Sequence, residues 1–494
     1  MERMNGEINM SEVRTRFAPS PTGYMHIGNL RTALYTYLIA RKYNGKFILR
    51  IEDTDQERFV EGATDVIYNT LEQVGLEHDE GPDIGGEYGP YVQSERKNIY
   101  THYAQKLIKA KGAYICFCTK ERLDALREQC QKAGEQFRYD GLCKSIPIEE
   151  AFKREAADEP CVVRQIIPDT GVTSFDDVVF GTISVENSTL DEGVLLKSDK
   201  MPTYNFANVI DDHLMRITHV VRGSEYLSST PKYNLLYQAF GWPLPIYIHL
   251  PPVMKEAGKK LSKREGDASF EDFYNKGYLT EAIVNYIALL GWSPGTEQEF
   301  FTLDELKSVF STDGLNKAPA IFDVNKLRWM NGEYIRKKTL EQFHALAFPY
   351  YSKTVVREDI DLFTLSRLLQ PRVEVLSDIP ENIDFIDKLP EYDTSLFINK
   401  KMKTDLHNSR IALEEAAKVL DGIDNWTEQS IHDALFALVA DLGVKNGQIL
   451  WPIRIAISGK QATPGGAIEL LVLLGKKESL HRILGTVLSM GQIS

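Results

Sequence analysis

Two widely separated loops hold the residues best suited to chemistry on phosphate. The first reads A-P-S-P-T-G-Y-M-H-I-G-N over 18–29 and carries Ser20, His26 and Gly28. A histidine there donates hydrogen bonds to phosphate oxygens, and a glycine lets a nucleotide press against bare backbone. The second, K-K-L-S-K-R over 259–264, supplies Lys260 and Lys263 in a polar loop. Clustered cations of this kind neutralise charge that builds up on a departing polyphosphate. Each loop also has a plainer reading: a Gly/Pro-rich turn with a capping histidine, and a solvated basic loop. A third grouping is Cys116, Cys118 and Cys143, with Tyr139 four residues before the last. Three thiolates in so short a stretch suit a structural Zn2+ that needs one more ligand, or are three idle thiols. With Cys130 and Cys161, which read as bystanders, the cysteines number five. An odd count in a large chain argues for metal binding or free thiols over a disulfide framework.

These residues need a frame. A β-prone run over 13–17 leads directly into the first loop, and apolar residues at Leu30, Ala33, Leu34, Tyr37 and Leu38 follow at helical spacing. Gly45 is placed to end that helix, and K-F-I-L-R-I over 46–51 reads as a second strand. Strand, helix, strand predicts a parallel sheet with helices on its faces. The first loop then lies at the C-terminal end of a strand and the N-terminus of a helix, where open α/β sheets bind ligands and the helix dipole favours phosphate. After a middle segment that holds all five cysteines, strand signals return over 217–222 and 246–250 with a helix over 233–240 between them, so the α/β unit reads as split by an insertion. Beyond the basic loop the chain turns helical. Ala412, Ala416, Val419 and Leu420 make one stripe; Ile431, Leu435, Leu438 and Val439 make another behind an N-cap at Thr427.

The 494 residues exceed one hydrophobic core and predict two to four domains. Charged residues at 26% and hydrophobic ones at 43% are ordinary for a soluble globular protein. No apolar run approaches the ~20 residues of a membrane helix, and M-E-R-M-N-G-E-I-N-M lacks the apolar core of a secretory signal. A disordered leader and a cytoplasmic location are expected. A net charge of −13 neither suggests nor excludes a nucleic-acid partner, because a sum says little about one face.

Taken together the two loops resemble the "HIGH" and "KMSKS" signatures of class I aminoacyl-tRNA synthetases, in the expected order around a split nucleotide fold. R-F-A-P-S-P-T-G, R-I-E-D-T-D, D-E-G-P, P-T-Y-N-F-A-N-V-I-D-D-H, V-V-R-G-S-E-Y and D-V-N-K-L-R-W-M-N-G extend the likeness from Val13 to the C-terminus. On these motifs the chain is similar to the bacterial glutamyl-tRNA synthetases.

The resemblance implies an α/β fold: a split Rossmann-type class I catalytic domain with an inserted acceptor-binding domain, a stem-contact region and an all-α anticodon-binding region. The expected boundaries are 1–97 and 205–256 for the two catalytic halves, 98–204 for the insertion, 257–336 for the stem-contact region and 337–494 for the anticodon-binding region. It implies ATP-dependent ligation of L-glutamate to tRNA(Glu) through a glutamyl-adenylate. Arg16, Ser20, Glu52, Tyr204, Asn208 and Arg222 are then expected to hold glutamate, a ligand whose two carboxylates and one ammonium call for arginines and a carboxylate. Ser20, His26, Gly28, Glu225, Tyr226 and Lys263 are expected at ATP, with His26, Lys260 and Lys263 catalytic and Mg2+ accompanying the nucleotide. Asp53 and Asp55 are given a structural role or a contact to the tRNA 3′ end. Some family members place a zinc-ligating histidine two residues after the last cysteine; here that position is Ser145, and Tyr139 is expected to complete a set with Cys116, Cys118 and Cys143. Arg372 in L-Q-P-R-V is expected to restrict the enzyme to the glutamate anticodon, and a monomer is expected. Three alternatives remain open: a glutamine-specific relative, an enzyme that glutamylates a modified tRNA base, and an inactive tRNA-binding paralogue. The helical tail and both intact loops argue against them.

Overall fold

The computed structural model describes residues 13–55, 60–134, 137–256, 259–260 and 269–491. The leader and Lys263 lie outside the described residues. The chain divides into two compact units: Met1–Phe273 with Ile283–Asp323, and Tyr274–Ala282 with Val324–Ser494.

The first unit contains the strands β1 (Arg14–Phe17), β2 (Lys46–Leu49), β3 (Ala113–Cys116), β4 (Val162–Gln165), β5 (Val172–Asp177), β6 (Gly181–Glu186), β7 (Val194–Leu196), β8 (His219–Gly223), β9 (Ile246–Leu250), β10 (Val253–Glu256), β11 (Lys259–Lys260) and β12 (Ala320–Ile321). Its main sheet has the order β2-β1-β8-β9-β5-β6, parallel from β2 to β5 and closed by the antiparallel β5–β6 hairpin. The central strands are short and largely buried, as a helix-covered parallel sheet requires, and β1 (R-T-R-F) and β8 (H-V-V-R-G) carry arginines among their buried residues. Register sets Arg16 opposite Ile48 and Arg222 opposite His249. Polar side chains at these strand ends therefore converge on the C-terminal edge of the sheet.

The helix Ile27–Lys42 follows β1. It is buried nearly all round, including Ile27, Leu30, Ala33, Leu34 and Leu38, and ends with Arg41 and Lys42 in its last turn, where cations suit the dipole. Asn44, one residue before Gly45, takes the left-handed conformation (φ 51) that turns the chain into β2. The predicted strand over 217–222 is β8, which starts two residues later and ends one later, and the predicted helix over 233–240 starts earlier, at Thr230.

The inserted segment is less separate than expected. β3, β4 and β7 form their own antiparallel sheet, but the β5–β6 hairpin, also within 98–204, extends the main sheet through β9. Phe175 on β5 packs with Tyr247 and Val220 of the catalytic sheet.

The second unit is helical. Leu406–Asp421, Glu428–Asp441, Asn446–Ser458, Ala467–Leu474 and Lys476–Gly491 are among its helices. Ala412, Ala416, Leu420, Ile431, Leu435, Leu438 and Val439 are buried in one core, as their spacing predicts, and Val419 packs half-buried against it. Thr427 is the N-cap, its hydroxyl accepting from Ser430 N at 3.2 Å. This unit begins earlier than 337. The helix Val324–Lys337 belongs to it, because Ile335 joins the helical core and the Asn331 carboxamide accepts from Leu279 N (2.8 Å) and donates to Glu374 O (2.6 Å). Among the described residues no helix is long and apolar enough to cross a membrane.

Candidate active site and metal cluster

A cavity of about 390 Å3 opens at the C-terminal edge of the parallel sheet. Arg16, Ser20, His26, Gly28, Glu52, Tyr204, Arg222, Glu225 and Tyr226 all line it. Residues read separately from both halves of the α/β fold are thus brought to one place. Asn208 is not at the wall. It is buried one turn along the helix Tyr204–Leu214, and its amide donates to Tyr204 O at 2.7 Å. It anchors the turn that presents Tyr204. Lys260 lies on β11, paired across to Met254 of β10.

His26 is the N-cap of the helix Ile27–Lys42: its Nδ1 accepts from Gly28 N at 3.0 Å. The capping reading is what the structure shows, and the cap fixes the ring at the cavity wall. A Cβ on Gly28 would lie 3.3 Å from that Nδ1, so glycine makes room for the histidine as well as for a ligand. No acidic side chain stands in the helix's first turn, and the positive end of its dipole is left for an anion. Gly223 has a similar role: a Cβ there would meet the Glu225 carboxylate at 2.1 Å.

Arg16 and Glu52 are held by residues that sequence reading did not single out. Asp212 Oδ1 accepts from Arg16 Nε (2.9 Å) and from Arg50 Nη1 (2.8 Å), while Arg50 Nη2 donates to Glu52 Oε1 at 2.8 Å. Arg50 is fully buried. Burial raises the Glu52 pKa above the usual carboxylate value, with Arg50 and Arg16 only partly offsetting it. Burial would raise Asp212 as well, but Arg16 and Arg50 outweigh it and hold Asp212 low. Arg31 is a further cavity arginine, buried, donating to Leu290 O at 3.1 Å and to Pro251 O. The one available signal for Arg31 and Arg50 was a lone arginine within an apolar run, and periodicity does not interpret such a residue.

Arg222 sits inside an aromatic box. Its guanidinium carbon lies 4.8 Å from the Tyr233 ring, 5.3 Å from Tyr226 and 5.4 Å from Tyr247. Tyr204 and Tyr226 stack obliquely at 5.2 Å. Three arginines, two carboxylates and tyrosine faces around a dipole-bearing helix end suit a dicarboxylate with an ammonium group beside a phosphate ester.

Away from the cavity, Cys116, Cys118 and Cys143 place their sulfurs within 4.8 Å of one another, and among the described residues this is the metal-competent cluster. Cys118 Sγ and Cys143 Sγ are 3.7 Å apart, close to the ~3.8 Å edge of a tetrahedron with 2.3 Å Zn–S bonds. The Tyr139 hydroxyl lies 3.3 Å from Cys116 Sγ and 3.2 Å from Cys118 Sγ, beside the cluster. Ser145 is exposed and its hydroxyl is turned to Leu142 O at 3.3 Å, outside the cluster. The donor set fits a structural ion. Cys130 and Cys161 are no part of it.

In the helical unit, Arg372 is exposed and spends one guanidinium N–H on Leu368 O (2.9 Å). Burial and the neighbouring Arg372 charge lower the pKa of Arg454, which lies over the Trp451 ring at 4.6 Å. Two neighbouring cations favour an anionic partner.

Comparison with known proteins agrees with this layout. Residues 12–329 match the family model described as "tRNA synthetases class I (E and Q), catalytic domain", and 341–487 match "Anticodon binding domain". The chain is 62% identical to a glutamate–tRNA ligase of Clostridium tetani over 96% of its own length and 97% of that protein's. It is 58% identical to one from Clostridium novyi, covering 96% and 98%. Among solved structures it resembles a glutamate tRNA ligase from Elizabethkingia meningosepticum in complex with its amino acid (TM-score 0.88, 35% identity, 97% and 99% covered).

Proposed function

The chain belongs to the class I aminoacyl-tRNA synthetases, in the family of glutamate–tRNA ligases, and from that premise we propose how its residues divide the work. The activity is ATP-dependent ligation of L-glutamate to the 3′ end of tRNA(Glu), with tRNA, ATP and glutamate as its partners. Readings as a glutamine-specific enzyme, a modified-base glutamylase or an inactive paralogue find no support in relatives that match it over nearly its whole length.

The observation that carries the site reading is the convergence of Arg16, Glu52, Tyr204 and Arg222 on one cavity beside the His26 helix end. Arg222 and Arg16 pair with the carboxylates of glutamate, and Glu52 takes its ammonium. His26, Gly28 and the helix N-terminus hold the phosphates, with Glu225 and Tyr226 facing the rest of the nucleotide. The α-carboxylate of glutamate attacks the α-phosphorus; the P–O bond to pyrophosphate breaks, and glutamyl-adenylate forms. The terminal adenosine hydroxyl of tRNA then takes the acyl group and AMP leaves. No side chain is a nucleophile; positioning and charge stabilisation do the catalysis. His26, Lys260 and Lys263 are the proposed stabilising groups, the last of these on resemblance alone. Mg2+ enters with ATP, and no residue of the chain is assigned to it.

The thiol cluster with Tyr139 is proposed to hold a structural Zn2+, supported by three sulfurs within 4.8 Å of one another and a phenol hydroxyl beside two of them. Arg372 is proposed to select the glutamate anticodon, supported by its exposure and by the neighbouring Arg454. A cytoplasmic monomer is the proposed working form.

Pyrophosphate exchange with ATP tests the scheme, run with glutamate or glutamine and with or without total tRNA. Exchange with glutamate that needs tRNA is the expected result. Exchange without tRNA refutes the tRNA-dependent activation proposed here. Glutamine preference refutes the pocket assignment.

A further inference from the structure

Arg222 does not reach the cavity as a free side chain. Its Nε–H donates to His249 Nε2 at 3.1 Å and an Nη2–H donates to Thr230 Oγ1 at 2.7 Å. Thr230 passes its own hydroxyl proton to Tyr226 O at 2.8 Å. Because arginine only donates, His249 Nε2 must carry a lone pair, and its ring proton is on Nδ1. That Nδ1 lies 2.7 Å from Asp177 Oδ2, which also accepts from His249 N at 3.0 Å. The other Asp177 oxygen accepts from Val179 N (3.0 Å) and Phe180 N (2.8 Å). Asp177, His249 and Arg222 are all buried. The Thr230 hydroxyl also lies 3.3 Å from His249 Nε2, which can only accept because Arg222 donates to it, so the hydrogen bonds fix both the tautomer and the plane of the guanidinium.

We infer that Asp177 and His249 are positioning residues for amino-acid selection, holding Arg222 at the one orientation that meets a carboxylate of the substrate. The inference rests on the proposed place of Arg222 in the glutamate pocket. It makes the β5–β6 hairpin of the inserted segment a working part of that pocket. His249 stays neutral because burial lowers its pKa, more than Asp177 offsets. Asp177→Asn is isosteric but turns two donors toward donors. Whichever way the amide flips, it meets either His249 N–H or the paired N–H groups of Val179 and Phe180, and the preference for the Nδ1–H tautomer is lost.

The test is tRNA-dependent pyrophosphate exchange, with KM measured separately for glutamate and ATP. Asp177→Asn and His249→Phe are expected to raise the glutamate KM about 10- to 100-fold, the range for spoiling a buried charge-assisted hydrogen bond, and to narrow the preference over glutamine. The ATP KM should stay within about twofold, as for loss of binding confined to one substrate. His249→Gln places a carbonyl oxygen near the position of Nε2 and is expected to recover most of the loss relative to His249→Phe. An unchanged glutamate KM in Asp177→Asn, beside a large rise in Arg222→Ala, overturns the inference and leaves the pocket standing. A joint rise of both KM values with a lowered melting temperature reduces the pair to a structural role and overturns it too. No effect in Arg222→Ala removes the pocket reading itself, and the inference with it.

Discussion

Asp212→Asn removes one charge from the most closely balanced part of the pocket floor. A single Asp212 oxygen accepts from Arg16 at 2.9 Å and from Arg50 at 2.8 Å, and these side chains are almost wholly buried. The amide keeps the shape and cancels the charge. Two buried guanidinium groups then face each other with Glu52 and the more distant Asp211 as their remaining anions. Removing one partner of a buried ion pair costs about 3–5 kcal/mol. With an unfolding entropy of about 2.1 cal/mol/K per residue over roughly 300 residues of the first unit, that is a fall of about 5–8 °C in its melting temperature. Asp212 is held below its ordinary value, so its contribution is complete above that value and is lost as pH falls through the folded one. The gap between wild type and variant should therefore be flat from pH 8 to about pH 5 and narrow only below about pH 4. Thermal unfolding followed by calorimetry across this range is the assay, with the glutamate KM as a second readout, expected to rise because Arg16 loses its anchor. A melting temperature within about 1 °C of wild type at pH 7, well under the shift worked above, refutes the view of Asp212 as the anion that keeps both arginines in place.

Glu52→Gln should act in the opposite sense on stability. Burial raises the Glu52 pKa, so the favourable protonated form is lost as pH rises through the folded value; the variant is expected to melt higher than wild type near neutral pH, converge with it in acid, and bind glutamate poorly. A lower melting temperature at neutral pH counts against this. Cys143→Ser is expected to abolish close to one equivalent of bound zinc per chain, a closed structural site being all-or-none in its ligands; elemental analysis that finds no zinc in the wild type refutes the site. Arg372→Ala should leave adenylate formation intact and raise charging of glutamine tRNA relative to glutamate tRNA, read by aminoacylation of each transcript. His26→Ala loses the helix cap, about 1 kcal/mol, and should raise the ATP KM more than the glutamate KM.

Much of the architecture is legible in local pattern. The helical stripes around Ala412 and Ile431 and the cap at Thr427 follow from period and composition, because each depends on neighbours within two turns of chain. The same holds for the strand–loop–helix that carries His26. Nothing in the sequence of the β5–β6 hairpin reveals that it borrows an edge from β9. Residues 324–336 pack with the helical unit ahead of the expected anticodon-binding region because Asn331 is held by Leu279 and Glu374, dozens of residues away on either side.

The chemistry divides along the same line. Sequence alone determined which groups this protein can use: a capping histidine before a glycine, lysines in a basic loop, three thiols with a tyrosine, and arginines with a carboxylate at strand ends. Tertiary structure decided which of them share a cavity and what holds them there. Asp212 joins Arg16 to Arg50, and Asp177 reaches Arg222 through His249, across separations in sequence of 196 residues in the first case and 72 in the first link of the second. A buried charge is stable only with its partner in place. The partner is chosen by the packing of strands and helices in space, and spacing along the chain carries no mark of it.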